Sequence, residues 1–221
     1  MNLNTEKKLI MNCDFAALLL IGGKSLRMGK DKASLAWDGS PLWEFQALKL
    51  RELHPFRLLI SARLEQHMNM NSPSDFPGVE WIFDPPEDDL GPMGAVVRAL
   101  KLVSMPMLVL AVDMPLMEVS FLNELRMKVG LGRGYFYEGE HGVEPLCGVY
   151  HPCMLNTLDA CVQSRRLSLQ KLVREAAAND LATIASLNMN SAKFFENLNT
   201  PDIWAEMMAN GRQAAQSTPP T

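Results

Sequence analysis

The 221 residues contain no C-x-x-C pair; the four cysteines stand apart at Cys13, Cys147, Cys153 and Cys161. The four histidines, His54, His67, His141 and His151, form neither an H-x3-H nor an H-E-x-x-H pattern. Zinc is therefore not expected, and the cysteines read as reduced, structural residues. An excess of basic residues is also missing, with 21 Lys and Arg against 25 Asp and Glu, which argues against a protein that coats nucleic acid by neutralising phosphates. Aromatic residues are sparse, and Trp37, Trp43, Trp81 and Trp204 are too scattered to form a stacking platform for single strands. No window approaches the roughly 18 uninterrupted apolar residues of a membrane helix. Lys7 and Lys8 precede an apolar stretch, but Asn12, Cys13 and Asp14 interrupt it and a glycine turn follows, so a secretory signal is rejected and the chain reads as cytoplasmic. There is no internal repeat, no Ser-His-Asp or Cys-His arrangement, and no G-x-G-x-x-G for a dinucleotide.

What is present is a rhythm of strand-length apolar runs alternating with helical patterns. Phe15 to Ile21 has no polar alternation, which predicts a strand buried on both faces of a parallel sheet. Arg57 to Ser61, Val79 to Phe83, Met107 to Val112, Gly134 to Tyr137, Pro145 to Tyr150 and residues 181–187 read as later strands. Helices are expected over Pro41 to Leu53, with Leu42, Phe45, Leu48, Leu50 and Leu53 inward, and over Met93 to Val103, Val119 to Val129, Cys153 to Val162 and Leu167 to Ala178. The pattern predicts an α/β fold, a doubly wound and mostly parallel sheet with helices on both faces. One domain is expected over 14–209, between an N-terminal tail at 1–13 and a C-terminal tail at 210–221 too poor in apolar residues to fold.

In such a sheet function lies in the loops after strands. The loop at 22–32 places three glycines and four cations within eleven residues, directly behind the first strand. Glycines admit a phosphate close to backbone N–H groups, and Lys and Arg supply the charge. A P-loop is rejected because Gly23 and Gly29 enclose five residues and are followed by Lys30-Asp31. A basic surface loop with turn glycines is the plainer alternative. Asp113-Met-Pro-Leu116 puts a carboxylate at a strand end, suited to Mg²⁺ beside a phosphate or, alternatively, to turn formation. The segment from Asp84 to Gly94 begins with an acid after a strand and ends in glycines before a helix, which suits nucleotide contact or a solvated acidic loop.

Leu20-Ile-Gly-Gly-Lys-Ser-Leu-Arg-Met-Gly-Lys-Asp-Lys32 resembles the nucleotide-binding signature of the molybdenum cofactor guanylyltransferases, L-A-G-G-x-S-x-R-M-G-x-D-K, with Ile21 where alanine is usual. Gly39-Ser-Pro-Leu, Asp84 with Gly91-Pro-Met-Gly94, Asp113 to Leu116, Glu144 to Tyr150 and Phe195 to Asp202 resemble further segments in family order, over residues 15–208. The resemblance implies a Rossmann-like fold of the nucleotide-diphospho-sugar transferase type. It implies transfer of GMP from GTP to molybdopterin-bound molybdenum, with Mg²⁺ as cofactor and pyrophosphate as product. Leu20, Gly22 and Gly23 would then contact guanine and ribose, Asp84 the nucleoside region, Lys32 the phosphates and Asp113 the Mg²⁺. Lys32, Arg27 and Asp113 would carry catalysis. Ser61 stands after the second strand where relatives often carry Asn. Asn197 and Asn199 match asparagines on the pterin side, and Glu144 replaces a residue usually neutral. Contacts with molybdenum-insertion proteins and molybdoenzyme chaperones are further implied. The alternatives are a cytidylyltransferase acting on the pterin or on a polyol phosphate, and a non-catalytic binding protein.

Overall fold

The computed structural model describes residues 13–22, 31–68, 76–85, 89–197 and 204. Its centre is β1 (Ala16–Leu20), five fully buried residues with β4 (Arg57–Arg63) on one side and β6 (Met107–Ala111) on the other, both parallel to it. Seven strands form one sheet in the order β5-β4-β1-β6-β8-β7-β9, with β5 at Val79–Asp84, β7 at Gly134–Gly139, β8 at Gly142–Tyr150 and β9 at Ala182–Ser186. β8 alone runs against the other six, antiparallel to both β6 and β7. A separate two-residue ribbon pairs β2 (Ala36–Trp37) with β3 (Ser40–Pro41).

The predicted burial of β1 on both faces has a direct cause. Ala17 and Leu19 belong to one apolar core and Ala16, Leu18 and Leu20 to the other, as a side-chain period of two requires. The first core is closed by α1 (Leu42–Arg51) and α4 (Val119–Arg126). The second is closed by α3 (Gly91–Val103), α5 (Leu155–Gln163) and α6 (Leu169–Ala178). Helices thus cover both faces of a mostly parallel sheet, as the alternating pattern predicts. A short α2 (Leu64–Met68) follows β4 and was not anticipated. None of the described helices is long and apolar enough to cross a membrane.

Several boundaries differ from expectation for physical reasons. The helix expected at Pro41 starts at Leu42 because Pro41 still pairs with Ala36 in the ribbon. On α1, Leu48 faces outward at 44% exposure whereas Gln46 is fully buried, so apolar periodicity misplaced one inward position. The helix expected to reach Val129 stops at Arg126, and a 3-10 turn covers Val129–Leu131. β8 extends back to Gly142 through the tight β7–β8 turn, where Gly142 has φ 104°. Of the tails expected at 1–13 and 210–221, all but Cys13 lies outside the described residues.

Because β4 and β6 flank β1 on opposite sides, the chain order reverses there. The carboxyl ends of β1, β4, β5 and β6 open onto a common edge, the position where such sheets hold ligands.

Candidate active site

The edge is assembled by backbone hydrogen bonds that carry the strand pairing past its end. Val112 N–H donates to the Leu20 carbonyl at 3.0 Å, and the Ile21 and Gly22 N–H groups both donate to the Ser61 carbonyl at 3.0 and 3.3 Å. Leu20, Gly22, Ser61 and Asp113 are therefore brought together from segments far apart in sequence.

On the β4 and β5 side, Ser61 is buried and its hydroxyl donates to Asp84 Oδ1 at 3.4 Å. Arg98, from the middle of α3, forms an ion pair with the same carboxylate. A Cβ on Gly22 would stand 3.2 Å from Asp84 Oδ2, so a side chain at position 22 would crowd the carboxylate. This close approach is a reason for glycine here that turn formation alone does not supply. Arg98 had no signal in the sequence beyond its place on a helix, since its partner lies 14 residues away.

On the β6 side, Lys32 opens a 3-10 turn at Lys32–Ser34 and places Nζ 3.4 Å from Asp113 Oδ2. Asp31 caps that turn by accepting from Ala33 N–H at 3.1 Å. Its Oδ1 also accepts from Gln66 Nε2 at 2.9 Å, and the same nitrogen donates to the Ile21 carbonyl at 2.9 Å. Buried Gln66 thereby ties together the two ends of the glycine-rich segment, a role that sequence reading missed. Gly23 and Arg27 lie within that segment and Asn199 near the other end of the chain, all three outside the described residues.

Among the expected pterin-side residues, Asn197 is half-buried, with its Oδ1 shielded from solvent and lacking a hydrogen-bond partner among the described residues. Glu144 is half-buried on β8. Leu110 pairs with Cys147 across β6 and β8, and Asp113 and Glu144 each lie three residues beyond that pair, toward the ligand edge. Burial raises the Glu144 carboxyl above its ordinary range, opposed by His141. Farther in, Cys147 is buried and burial raises its thiol, so it is inert packing against Met117 at 4.0 Å. All four cysteines are free.

The arrangement joins a cation and an open carboxylate on one side of β1 to a hydrogen-bonded carboxylate on the other. Such a site can take a polyanionic ligand end-on, with phosphates toward Lys32 and Asp113 and a neutral polar part toward Ser61 and Asp84.

Comparison with known proteins agrees in sequence and in fold. Residues 17–181 match the model of the MobA-like NTP transferase domain. A probable molybdenum cofactor guanylyltransferase of Opitutus terrae is 30% identical over 191 residues, covering 85% of this chain and 91% of that protein. The corresponding protein of Synechococcus elongatus is 29% identical over 197 residues, covering 86% and 96%. In three dimensions, molybdopterin-guanine dinucleotide biosynthesis protein A of Archaeoglobus fulgidus superposes with a TM-score of 0.70, covering 90% of this chain and 99% of that one. At 19% identity that likeness speaks for the fold.

Proposed function

The chain belongs to the MobA-like NTP transferase family, and from that premise we propose that it transfers GMP from GTP to molybdopterin-bound molybdenum cofactor, forming the guanine dinucleotide cofactor and releasing pyrophosphate. The observation that carries the site reading is the Lys32–Asp113 pair at the carboxyl edge of β1 and β6. It lies across β1 from the Ser61–Asp84–Arg98 cluster, so phosphates and nucleoside have separate, chemically matched ends.

A terminal phosphate oxygen of the pterin attacks the α-phosphorus of GTP, a new P–O bond forms, and the bond to the β-phosphate oxygen breaks. Pyrophosphate carries away the electron pair. A phosphate monoester is already ionised near neutral pH, so no side chain has to remove a proton. The protein's work is positioning and neutralisation of developing charge. Lys32 holds the phosphates and Arg27 adds a second positive charge. Leu20, Gly22 and Gly23 let the nucleoside lie against the backbone, with Ser61 and Asp84 addressing its polar groups and Arg98 fixing Asp84. Asn197 and Asn199 are assigned to the pterin side, where Asn197 Oδ1, without a partner among the described residues, is available as an acceptor.

The donor set suits Mg²⁺. Among the described residues no three His, Cys, Asp or Glu side chains cluster, so a fully protein-made cage is absent there. Asp113 offers one partly exposed carboxylate at a strand end, the arrangement in which substrate phosphates and water complete the shell. Held by Asp113, Mg²⁺ would supply Lewis-acid neutralisation of phosphate charge. We assign the reaction to the cytoplasm, a reading that four free cysteines support.

The test is pyrophosphate release with GTP, CTP and ATP offered separately, alongside Mg²⁺ and molybdopterin-loaded carrier. Release with GTP alone is expected. A preference for CTP would move the base assignment while keeping the chemistry, and binding without release from any nucleotide would favour a carrier.

A further inference from the structure

The loop that follows β6 carries Asp113, and it is gripped from outside the sheet by two side chains of α1. Gln46 Nε2 donates to the carbonyls of Val112 and Met114, at 3.4 and 2.7 Å. These are the two peptide carbonyls on either side of Asp113's own. Lys49 Nζ donates to the carbonyls of Pro115 and Met117, each at 2.7 Å. Gln46 and Lys49 are three residues apart, hence on one face of the helix.

We propose that Gln46 and Lys49 are positioning residues for Asp113, holding the loop by four carbonyls so that the carboxylate is presented toward Lys32 and the phosphate end of the site. The inference rests on Asp113 serving the transfer as its Mg²⁺ ligand.

Two features distinguish this grip from ordinary packing. A buried amide and a half-buried ammonium are costly in an apolar layer, where leucine or methionine would fill the space without desolvation. Burial lowers the Lys49 ammonium to about 7, against the opposing pull of Glu118 and Glu52, and the stem lies beside Phe45 with Nζ 4.2 Å from the ring centroid. The hydrogen bonds are also aimed. Pinning the peptide before Asp113 and the peptide after Met114 restricts the backbone torsions of the two residues between them, and so limits the directions open to the Asp113 Cα–Cβ bond. The loop's internal support is slight: Met117 N–H donates to the Met114 carbonyl, and Pro115 has no N–H to give. α1 is itself firmly placed, with Leu42, Trp43, Ala47 and Leu50 buried against the sheet.

The decisive variant is Lys49→Met, which keeps the stem and removes the donors, compared with Lys49→Arg, which keeps both. Two readouts are used in addition to turnover: the Mg²⁺ concentration at which GTP half-maximally raises the melting temperature, and amide hydrogen exchange between Asp113 and Met117. Lys49→Met is expected to fold and to need about tenfold more Mg²⁺. Its loop amides should exchange about tenfold faster while those of β1 and β4 keep their rates. kcat should fall, with KM for GTP at saturating Mg²⁺ little changed, and Lys49→Arg should restore all of these. A wild-type Mg²⁺ requirement in Lys49→Met overturns the inference, as does a Lys49→Arg protein equally impaired. Should Lys49→Met fail to fold, Lys49→Gln carries the same readouts. Wild-type protein whose stabilisation by GTP ignores Mg²⁺ would remove the Asp113 assignment, and this inference with it. Mg²⁺-dependent wild type beside an unaltered Lys49→Met overturns this inference alone.

Discussion

The two carboxylates that flank β1 are treated differently by their surroundings. Asp84 is held by the Ser61 hydroxyl and the Arg98 guanidinium, and its Oδ2 lies where a side chain at position 22 would crowd it. Asp113, among the described residues, has one side-chain contact, the 3.4 Å approach of Lys32. Its order is imposed on the backbone instead, through Gln46 and Lys49. A carboxylate held through one oxygen by two donors is suited to shape a pocket and to offer its other oxygen there. One whose main chain is fixed while its oxygens stay open is suited to take up an incoming cation.

The comparison breaks most visibly at Asp113. Asp113→Asn should lower turnover by about a thousandfold or more, since a charge that anchors the metal is lost. The fold should survive, because the side chain packs no core, and pyrophosphate release measured beside a thermal melt checks both points. A retained Mg²⁺-dependent rate would show that the open carboxylate is not the metal ligand.

The cost of holding the Asp113 loop should be visible in the pH dependence of stability. Lys49 is held at about 7 in the folded chain against 10.5 ordinarily, so between those values the unfolded chain binds more protons and stability rises with pH. Relative to Lys49→Met, the wild type should gain on the order of 2 kcal/mol between pH 7 and pH 10, read from urea denaturation at each pH. A flat difference would mean that the two carbonyl acceptors fully compensate the burial.

On the other side of β1 a smaller and different effect is expected. Arg98→Met leaves Asp84 without its cation, which should raise KM for GTP by roughly fivefold, about 1 kcal/mol for a partly exposed pair, with kcat nearly unchanged. Equal losses in kcat and kcat/KM would assign Asp84 to the transition state and erase the distinction between the two carboxylates.

Glu144 supplies the smallest test. Burial disfavours its ionised form in the folded chain, so Glu144→Gln should stabilise the protein at pH 7 by a few tenths of a kcal/mol. That gain should vanish as the pH falls below the ordinary carboxylate range.

Much of this site was legible in the sequence because its signals are local. An unbroken apolar run ending in Gly22, and another ending just before Asp113, mark strand ends without reference to the rest of the chain. Asp84 follows from its place after such an end and Lys32 from the family signature, while two-sided burial of β1 follows from the absence of polar alternation. Arg98, Gln46, Lys49 and Gln66 were not legible, because each acts on a partner brought near by folding alone. Gln46 reaches across 68 residues to Met114, and Gln66 across 45 to Ile21. Helical periodicity gave the inward position to Leu48 rather than Gln46, since it scores hydrophobicity and is blind to a buried amide whose acceptors are loop carbonyls. The β2–β3 ribbon escaped notice for another reason: two-residue strands are too short to show any period.

The register of β1 has a kinetic meaning as well. Its partners begin at Arg57 on one side and Met107 on the other, whereas β7 and β8 meet across a tight hairpin. Local pairing of the hairpin closes a small loop, while the pairings that build the ligand edge close large ones and are the slower to form. A chain with its carboxyl-terminal hairpin in place but β1 not yet inserted has no juxtaposed Gly22, Ser61 and Asp113. Nucleotide therefore recognises the finished sheet and nothing earlier, so GTP should slow unfolding while leaving the early steps of folding untouched.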